Sequence, residues 1–265
     1  MSTAIGVIGC GNMGSAIVRG MVDKGIFPPG EIYLYDKISK KAEALACETG
    51  THLGDLSQMV RGSEYLLIAV KPQDSEKLFR QIAGDIVDQT IISVMAGVSI
   101  KTIAGMIGKE VPIVRAMPNM AAFAGESITC VSLNGGVQRA EEIKKMFTGI
   151  GNVLEVEEAH MDAVTALSGS GPAYLFYLAE AMMEAGEEVG LSRDVSEKLV
   201  VHALYGAAVL LKEHGESPEE LIDKVASEGG TTEAALLVFE KHGLKEIMKD
   251  AIYRARERSK ELSEG

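Results

Sequence analysis

The sequence predicts an α/β chain with a doubly wound parallel sheet in its first part and an all-helical region in its second. Two observations carry this. Short apolar, β-branched runs alternate with helical stretches over roughly the first 157 residues. After about His160 the strand signals vanish and long helical patterns continue to the end. Strand and helix in alternation argue for a parallel sheet covered on both faces. The expected boundary separates residues 1–157 from residues 158–265.

In order, Ala4–Ile8, Ile32–Tyr35, Tyr65–Val70, Thr90–Val94, Pro112–Arg115 and Ile128–Leu133 read as strands, because they are short and rich in β-branched or aromatic residues. Met13–Lys24, Lys40–Thr49 and Ser75–Val87 read as the helices between them. Val137–Phe147 reads as another helix, with a short strand following near Val153. The second region reads as five helices: Ala173–Val189, Val195–Leu211, Pro218–Val225, Thr232–His242 and Leu244–Leu262. Two are unusual. Ala173 to Ala179 is an unbroken apolar run, and Val200 to Leu211 is interrupted only by His202 and Gly206. A helix that is apolar all round must be buried on every side. A helical region of this size cannot enclose two such helices alone, so a second subunit is expected to cover them.

Composition narrows the function. The 265 residues are 46% hydrophobic and 24% charged, as in ordinary folded proteins. The apolar run at Val200–Leu211 is too short to cross a membrane, which takes about 20 residues. The N-terminus enters an apolar strand with no basic region before it, so no signal peptide is expected. The formal charge of −12 disfavours generic nucleic-acid binding. Cys10, Cys47 and Cys130 show no metal or disulfide spacing, and their number is odd. A reducing, cytoplasmic setting is expected. The five histidines show no ligand spacing either, and no metal is expected.

The first strand runs directly into Gly9-Cys10-Gly11-Asn12-Met13-Gly14, a G-x-G-x-x-G turn that opens a helix. Each glycine has a physical task. Gly9 permits the tight turn, Gly11 lets backbone approach a pyrophosphate, and Gly14 lets helix pack on strand. The helix N-terminus offers free N–H groups and a positive dipole to the phosphates. With strand before and helix after, the turn reads as the dinucleotide loop of a Rossmann-type fold. Asp36 lies about 20 residues further on, at the end of the second strand, where an acid accepts the ribose 2′-hydroxyl of NAD. Lys37, Lys40 and Lys41 follow at once and could hold a 2′-phosphate, so both NADH and NADPH stand as cofactors. Ala69-Val70-Lys71-Pro72 and the loop containing Ala96 and Gly97 follow later strands. Ligands of such sheets bind beyond the carboxyl ends of the strands, so these loops are candidate walls.

Gly229-Gly230-Thr231-Thr232 leads into a helix. Consecutive N–H groups and two hydroxyls there make an anion cradle. Ser168-Gly169-Ser170-Gly171-Pro172 likewise opens a helix. It is not G-x-S-x-G, so no nucleophile elbow is indicated.

Taken together, these pieces resemble the pyrroline-5-carboxylate reductase family along essentially the whole chain. The resemblance runs through the glycine turn, Ala69-Val70-Lys71-Pro72, Arg115-Ala116-Met117-Pro118-Asn119, the stretch Asp162 to Tyr174, and Ser227-Glu228-Gly229-Gly230-Thr231-Thr232. It implies a Rossmann domain joined to a helical dimerisation domain, and reduction of a cyclic imine to L-proline by NADPH or NADH. It implies a homodimer through the C-terminal helices, assembling further into rings of dimers. It also places the substrate carboxylate at Gly229, Gly230 and Thr231, Thr232 near the imine nitrogen, and Glu158 among the substrate contacts. Thr232 and Ser170 are the candidate catalytic residues. One departure is Glu228, where the family carries proline, and it is expected to point to solvent. Another is the acidic Asp36, where some members place a serine or an arginine-rich turn that favours NADPH. Two rival readings are a β-hydroxyacid dehydrogenase and a non-catalytic nucleotide sensor. The first would place a lysine on the helix after a glycine turn, and the Gly171 helix has none before Lys198.

Overall fold

A computed structural model describes residues 3–264. By internal contacts these fall into two units. One comprises residues up to Ser170 with those from Arg254 onward, the other Gly171–Tyr253.

The first unit is built on one eight-stranded sheet. Its elements, in chain order, are β1 (Thr3–Ile8), α1 (Asn12–Asp23), β2 (Ile32–Tyr35), α2 (Ser39–Thr49), β3 (His52–Leu53), α3 (Leu56–Gly62), β4 (Ser63–Ile68), α4 (Ser75–Ile82), β5 (Thr90–Ser93), α5 (Ile100–Ile107), β6 (Ile113–Met117), β7 (Ser127–Leu133), α6 (Ala140–Thr148) and β8 (Gly151–Glu155). The strand order is β3-β2-β1-β4-β5-β6-β7-β8. Strand order reverses between β1 and β4, which run parallel, and this is the switch point where doubly wound sheets open a ligand crevice.

Side chains along the central strands alternate between two cores. Ile5 and Val7 of β1 and Tyr65 and Leu67 of β4 join Ile17, Val18 and Met21 of α1 and Ile143, Met146 and Phe147 of α6. Ile8, Leu66 and Ile68 point the other way, joining Met59, Leu78, Phe79 and Ile82 with Ile103 and Ile107 of α5. Both faces are therefore covered, as the near-continuous apolar strands require.

One pairing departs from the parallel pattern: β7 runs antiparallel to β6. The connection explains it. Only residues 118–126 separate the two strands, and they include a 3-10 turn at Met120–Ala124. That is shorter than the dozen or so residues a parallel crossover needs. The sheet then resumes parallel pairing at β8.

The helical elements continue with α7 (Met161–Val164), a π-helical turn at Thr165–Gly169, α8 (Gly171–Glu188), α9 (Arg193–Glu213), α10 (Pro218–Val225), α11 (Thr231–Lys241) and α12 (Leu244–Glu264). In the second unit α8 and α9 form an antiparallel hairpin that turns at Gly190, with φ of +99°. Ser192 caps α9 by accepting the Val195 N–H. The two helices touch closely where Gly186 meets Ser196: a methyl at Gly186 would lie 2.5 Å from the serine hydroxyl oxygen. Among the described residues of this unit, only Met183, Ser196 and Val200 are buried. Phe176, Tyr177, Leu199 and Tyr205 are more than half exposed.

Candidate active site

The glycine turn shows its three tasks directly. Gly9 has φ of +105°, and a methyl there would lie 2.5 Å from the Ala69 carbonyl oxygen. A methyl on Gly14 would lie 2.0 Å from the Gly9 carbonyl oxygen, inside the helix–strand contact. At Gly11 a methyl would meet nothing within 4 Å. Gly11 is the N-cap of α1, so the free N–H groups of that helix open beside it. Glycine at Gly9 and Gly14 thus serves the fold, while glycine at Gly11 leaves room for a ligand.

The loop is tied down on both sides. Gly9 N–H donates to the Tyr35 carbonyl, and Ala69 N–H donates to the Ile8 carbonyl, both at 2.8 Å. The Ser15 hydroxyl donates to the Cys10 carbonyl at 3.0 Å. The Cys10 side chain is buried, and burial pushes its thiol up to about 12, the neighbouring Asp36 carboxylate adding to the rise. Cys10 therefore contributes backbone and packing, with no thiolate chemistry at neutral pH.

A cleft of about 560 Å³ lies beyond these strand ends. Gly9, Gly11, Asp36, Lys37, Ala69, Val70 and Lys71 all line it, as do Lys41 and, from α4, Lys77 and Gln81. Cys10, Asn12, Met13 and Gly14 stand behind it, in the turn and first residues of α1. Pro72 opens a 3-10 turn and accepts the Ser75 hydroxyl through its carbonyl. Across the cleft rim Lys37 pairs with Asp74 at 2.8 Å and holds that carboxyl below its ordinary range. Sequence reasoning missed Lys77 and Gln81. Their spacing of four on α4 was the available signal, since it sets both on one helix face.

Ala96 and Gly97 lie elsewhere in the first unit. Gly97, with φ of +70°, packs against the last turns of α12, and a methyl there would lie 2.9 Å from Cβ of Leu262. A partly buried polar cluster adjoins this loop. Arg115 is only 4% exposed and donates to Asp162 Oδ1 at 3.2 Å. The Ser259 hydroxyl donates to the same oxygen at 2.8 Å. Glu158 Oε1 lies 3.8 Å from Arg115 and accepts the Ile100 N–H at 2.6 Å. Glu158 thereby satisfies a free donor at the start of α5. Ser168 is tied to the β6–β7 connection through the Asn119 side chain at 3.2 Å, and Ser170 N–H donates to the Thr165 carbonyl.

The second unit holds the other candidate loop. Gly229 has φ of +71°, and Gly230 is the N-cap of α11, with no side-chain cap on it. Gly229 N–H donates to Glu233 Oε2 at 2.7 Å, so a carboxylate already sits at this glycine N–H. Thr231 and Thr232 are the first two residues of α11. Glu228 is exposed, as expected.

Comparison with known proteins converges on one family. Residues 158–262 match the family model for pyrroline-5-carboxylate reductase dimerisation, and residues 4–97 match that for NADP oxidoreductase, coenzyme F420-dependent. A pyrroline-5-carboxylate reductase of Synechocystis is 37% identical over 265 residues, 99% of each chain. The chain belongs to the pyrroline-5-carboxylate reductase family. A pyrroline-5-carboxylate reductase 2 of Bacillus subtilis is 33% identical, covering 98% of this chain and 95% of its own. The solved structure of a pyrroline-5-carboxylate reductase from Coxiella burnetii superposes with a TM-score of 0.91 at 32% identity, covering 99% of both chains. A Plasmodium falciparum pyrroline carboxylate reductase with NADP bound gives 0.87 at 28% identity, covering 98% of each.

Membership of the pyrroline-5-carboxylate reductases sets aside the β-hydroxyacid dehydrogenase reading. The exposed apolar helices α8 and α9 fall inside the residues that match the dimerisation model. Among the described residues no helix is long and apolar enough to cross a membrane, and no cluster of potential metal ligands occurs.

Proposed function

We infer that this chain reduces the C=N bond of 1-pyrroline-5-carboxylate to L-proline with NAD(P)H, the closing step of proline synthesis. The full-length relationship to pyrroline-5-carboxylate reductases carries this reading. The glycine turn supports it from physics: Gly11 leaves the space a pyrophosphate needs, at the start of a helix. When bound, the reduced nicotinamide supplies the hydride that the imine carbon accepts.

The chain's own residues bind and orient. Residues 1–157 serve the dinucleotide, through Gly9 to Gly14, Asp36, Lys37 and the wall Ala69–Pro72, while Ala96 and Gly97, expected as a further wall, lie outside the cleft. Residues 158–265 serve substrate and assembly. N–H groups of Gly229, Gly230 and Thr231 hold the substrate carboxylate in this reading, with Glu233 giving up its hold on Gly229. The Thr232 hydroxyl orients the ring nitrogen. A protonated imine already carries positive charge, so the site needs positioning more than a strong general acid. Ser170 and Glu158 complete the substrate side, and Glu158 also steadies the start of α5. Two copies of the chain pair through α8 and α9, which one chain leaves exposed, and such dimers assemble further. A cytoplasmic location suits three unpaired cysteines.

The test follows oxidation of NADPH and NADH at 340 nm with pyrroline-5-carboxylate, against 3-hydroxy acids run in the oxidative direction. Turnover confined to the imine supports the reading. Turnover confined to hydroxy acids, or binding without any turnover, overturns it.

A further inference from the structure

Strand register sets one buried cation level with the opening of the ligand crevice. Tyr35, Ile8, Ile68, Ser93 and Arg115 stand side by side across β2, β1, β4, β5 and β6. The glycine turn begins one residue beyond Ile8, so this row marks the edge at which the crevice opens. Beyond the switch point, β4, β5 and β6 form the second mononucleotide half of the sheet, and the reacting end of a dinucleotide belongs over that half. Arg115 is therefore placed beneath the chemistry and not beneath the adenosine.

Around Arg115 the polar cluster closes into a ring. Asp162 Oδ1 takes two donors, the Arg115 guanidinium at 3.2 Å and the Ser259 hydroxyl at 2.8 Å. On its other side Arg115 lies 3.8 Å from Glu158 Oε1, and that oxygen accepts the Ile100 N–H at the start of α5. The end of α12 also meets the loop that leads into α5. A methyl at Gly97 would lie 2.9 Å from Leu262 Cβ and 3.3 Å from the Ser259 carbonyl oxygen. One helix end thus holds the loop after β5 directly and the start of α5 through Asp162, Arg115 and Glu158. All of these residues belong to the first unit. Arg115 and Ser259 are buried, whereas the Glu158 side chain is 34% exposed. A ligand over the ends of β5 and β6 can touch Glu158, and Ser259 is out of its reach.

We propose that Ser259 and Asp162 are positioning residues for the reaction. They fix the Arg115 guanidinium, which holds the Glu158 carboxylate against the start of α5. The end of α12 is thereby part of the framework that seats the imine beside the dinucleotide. This rests on the imine-reducing reading, with Glu158 as a substrate contact. A protonated imine is a cation, and a carboxylate anchored before it arrives orients it at no further cost in order. Ser259 touches neither substrate nor dinucleotide and acts only through Asp162 and Arg115.

The experiment follows pyrroline-5-carboxylate turnover and NADPH binding in full-length Ser259→Ala, Glu158→Gln and the double variant. Ser259→Ala should lower kcat by about 5- to 50-fold while NADPH affinity stays within about twofold, which also shows that the variant is folded. In the Glu158→Gln background the same change should cost less than about threefold, because the contact it serves is already altered. A merely structural serine would add its full cost in either background. Asp162→Asn, which keeps the size of the side chain, should repeat the loss of kcat with NADPH still bound. Full kcat in Ser259→Ala or Glu158→Gln, loss of NADPH binding along with kcat, or equal losses in the two backgrounds would overturn the proposal while leaving imine reduction standing. Absence of imine turnover in the unmodified protein would overturn the functional reading and this proposal together.

Discussion

Gly11→Ala and Gly14→Ala look equivalent in the motif, yet the structure separates them. At Gly11 the φ of −75° suits any residue, and the added methyl meets no protein atom within 4 Å. As an N-cap, alanine is worse than glycine by some tenths of a kcal/mol to about 1. Against this, alanine removes about 0.4–1 kcal/mol of unfolded-chain entropy. The net change is within about 1 kcal/mol, so Tm should move by no more than about 4 °C. The same methyl occupies the space a pyrophosphate must enter, and crowding of about 1–3 kcal/mol weakens binding roughly 5- to 150-fold. At Gly14 the methyl would sit 2.0 Å from the Gly9 carbonyl oxygen, and α1 or β1 must move. That should lower Tm by about 4–12 °C or more as well as weaken binding. Thermal melts and titration of NADPH fluorescence measure both quantities on both variants. If Gly11→Ala binds NADPH normally, or melts as low as Gly14→Ala, the division of labour argued here is wrong.

Three further outcomes are expected. Thr232→Ala should lower kcat and kcat/KM together by about 10- to 100-fold while NADPH still binds, because the residue lies outside the glycine-turn unit; a variant with full kcat would remove Thr232 from the site. The unmodified protein should sediment at micromolar concentration as a dimer or larger, and a folded monomer would refute the reading of α8 and α9. Stability should fall between about pH 9 and 12. Burial raises the Cys10 thiol from 9.0 and the Tyr65 hydroxyl from 10.0, each to about 12, so over this range the unfolded chain releases protons the folded chain retains, and rising pH favours unfolding. Urea midpoints measured at pH 8, 9, 10 and 11 check this, and a flat series would contradict it.

Local constraints were readable in the chain, and tertiary ones were not. The glycine turn announced itself because each glycine answers a steric demand set within a few residues or by the adjoining strand. The helices α3 and α5 escaped notice although both carry ordinary caps, Asp55 accepting the Gln58 N–H and Ser99 the Thr102 N–H. At seven and eight residues they are too short for periodicity to speak. The direction of β7 was hidden because a strand buried on both faces has the same apolar pattern either way, and only the short connection from β6 reveals it. Asp36 is the sharpest case. Its position at a strand end was plain from the sequence, and the bond that its Oδ2 accepts from the Cys10 N–H at 2.8 Å was not. The bond to Cys10 arises only because β1 and β2 pair with Ile8 opposite Tyr35, which brings the two strand ends level.

The second unit shows the opposite relation, in which the sequence exposed a deficit that one folded chain leaves unfilled. The apolar runs at Ala173–Ala179 and Val200–Leu211 cannot all face one neighbour, because the residues circle the helix at 3.6 per turn. In the hairpin of α8 and α9 each helix covers one stripe of the other, and burial is confined to Met183, Ser196 and Val200. Tyr177 at 82% exposure and Tyr205 at 70% are among the side chains left uncovered, with Phe176 and Leu199. Apolar area of that kind is favourable to bury at about 25 cal/mol per Å², and a second copy of the same hairpin offers the matching apolar surface. If two chains pair through α8 and α9 as proposed, assembly completes the core of this unit, and folding of the helical region and pairing of the chains should be one cooperative event.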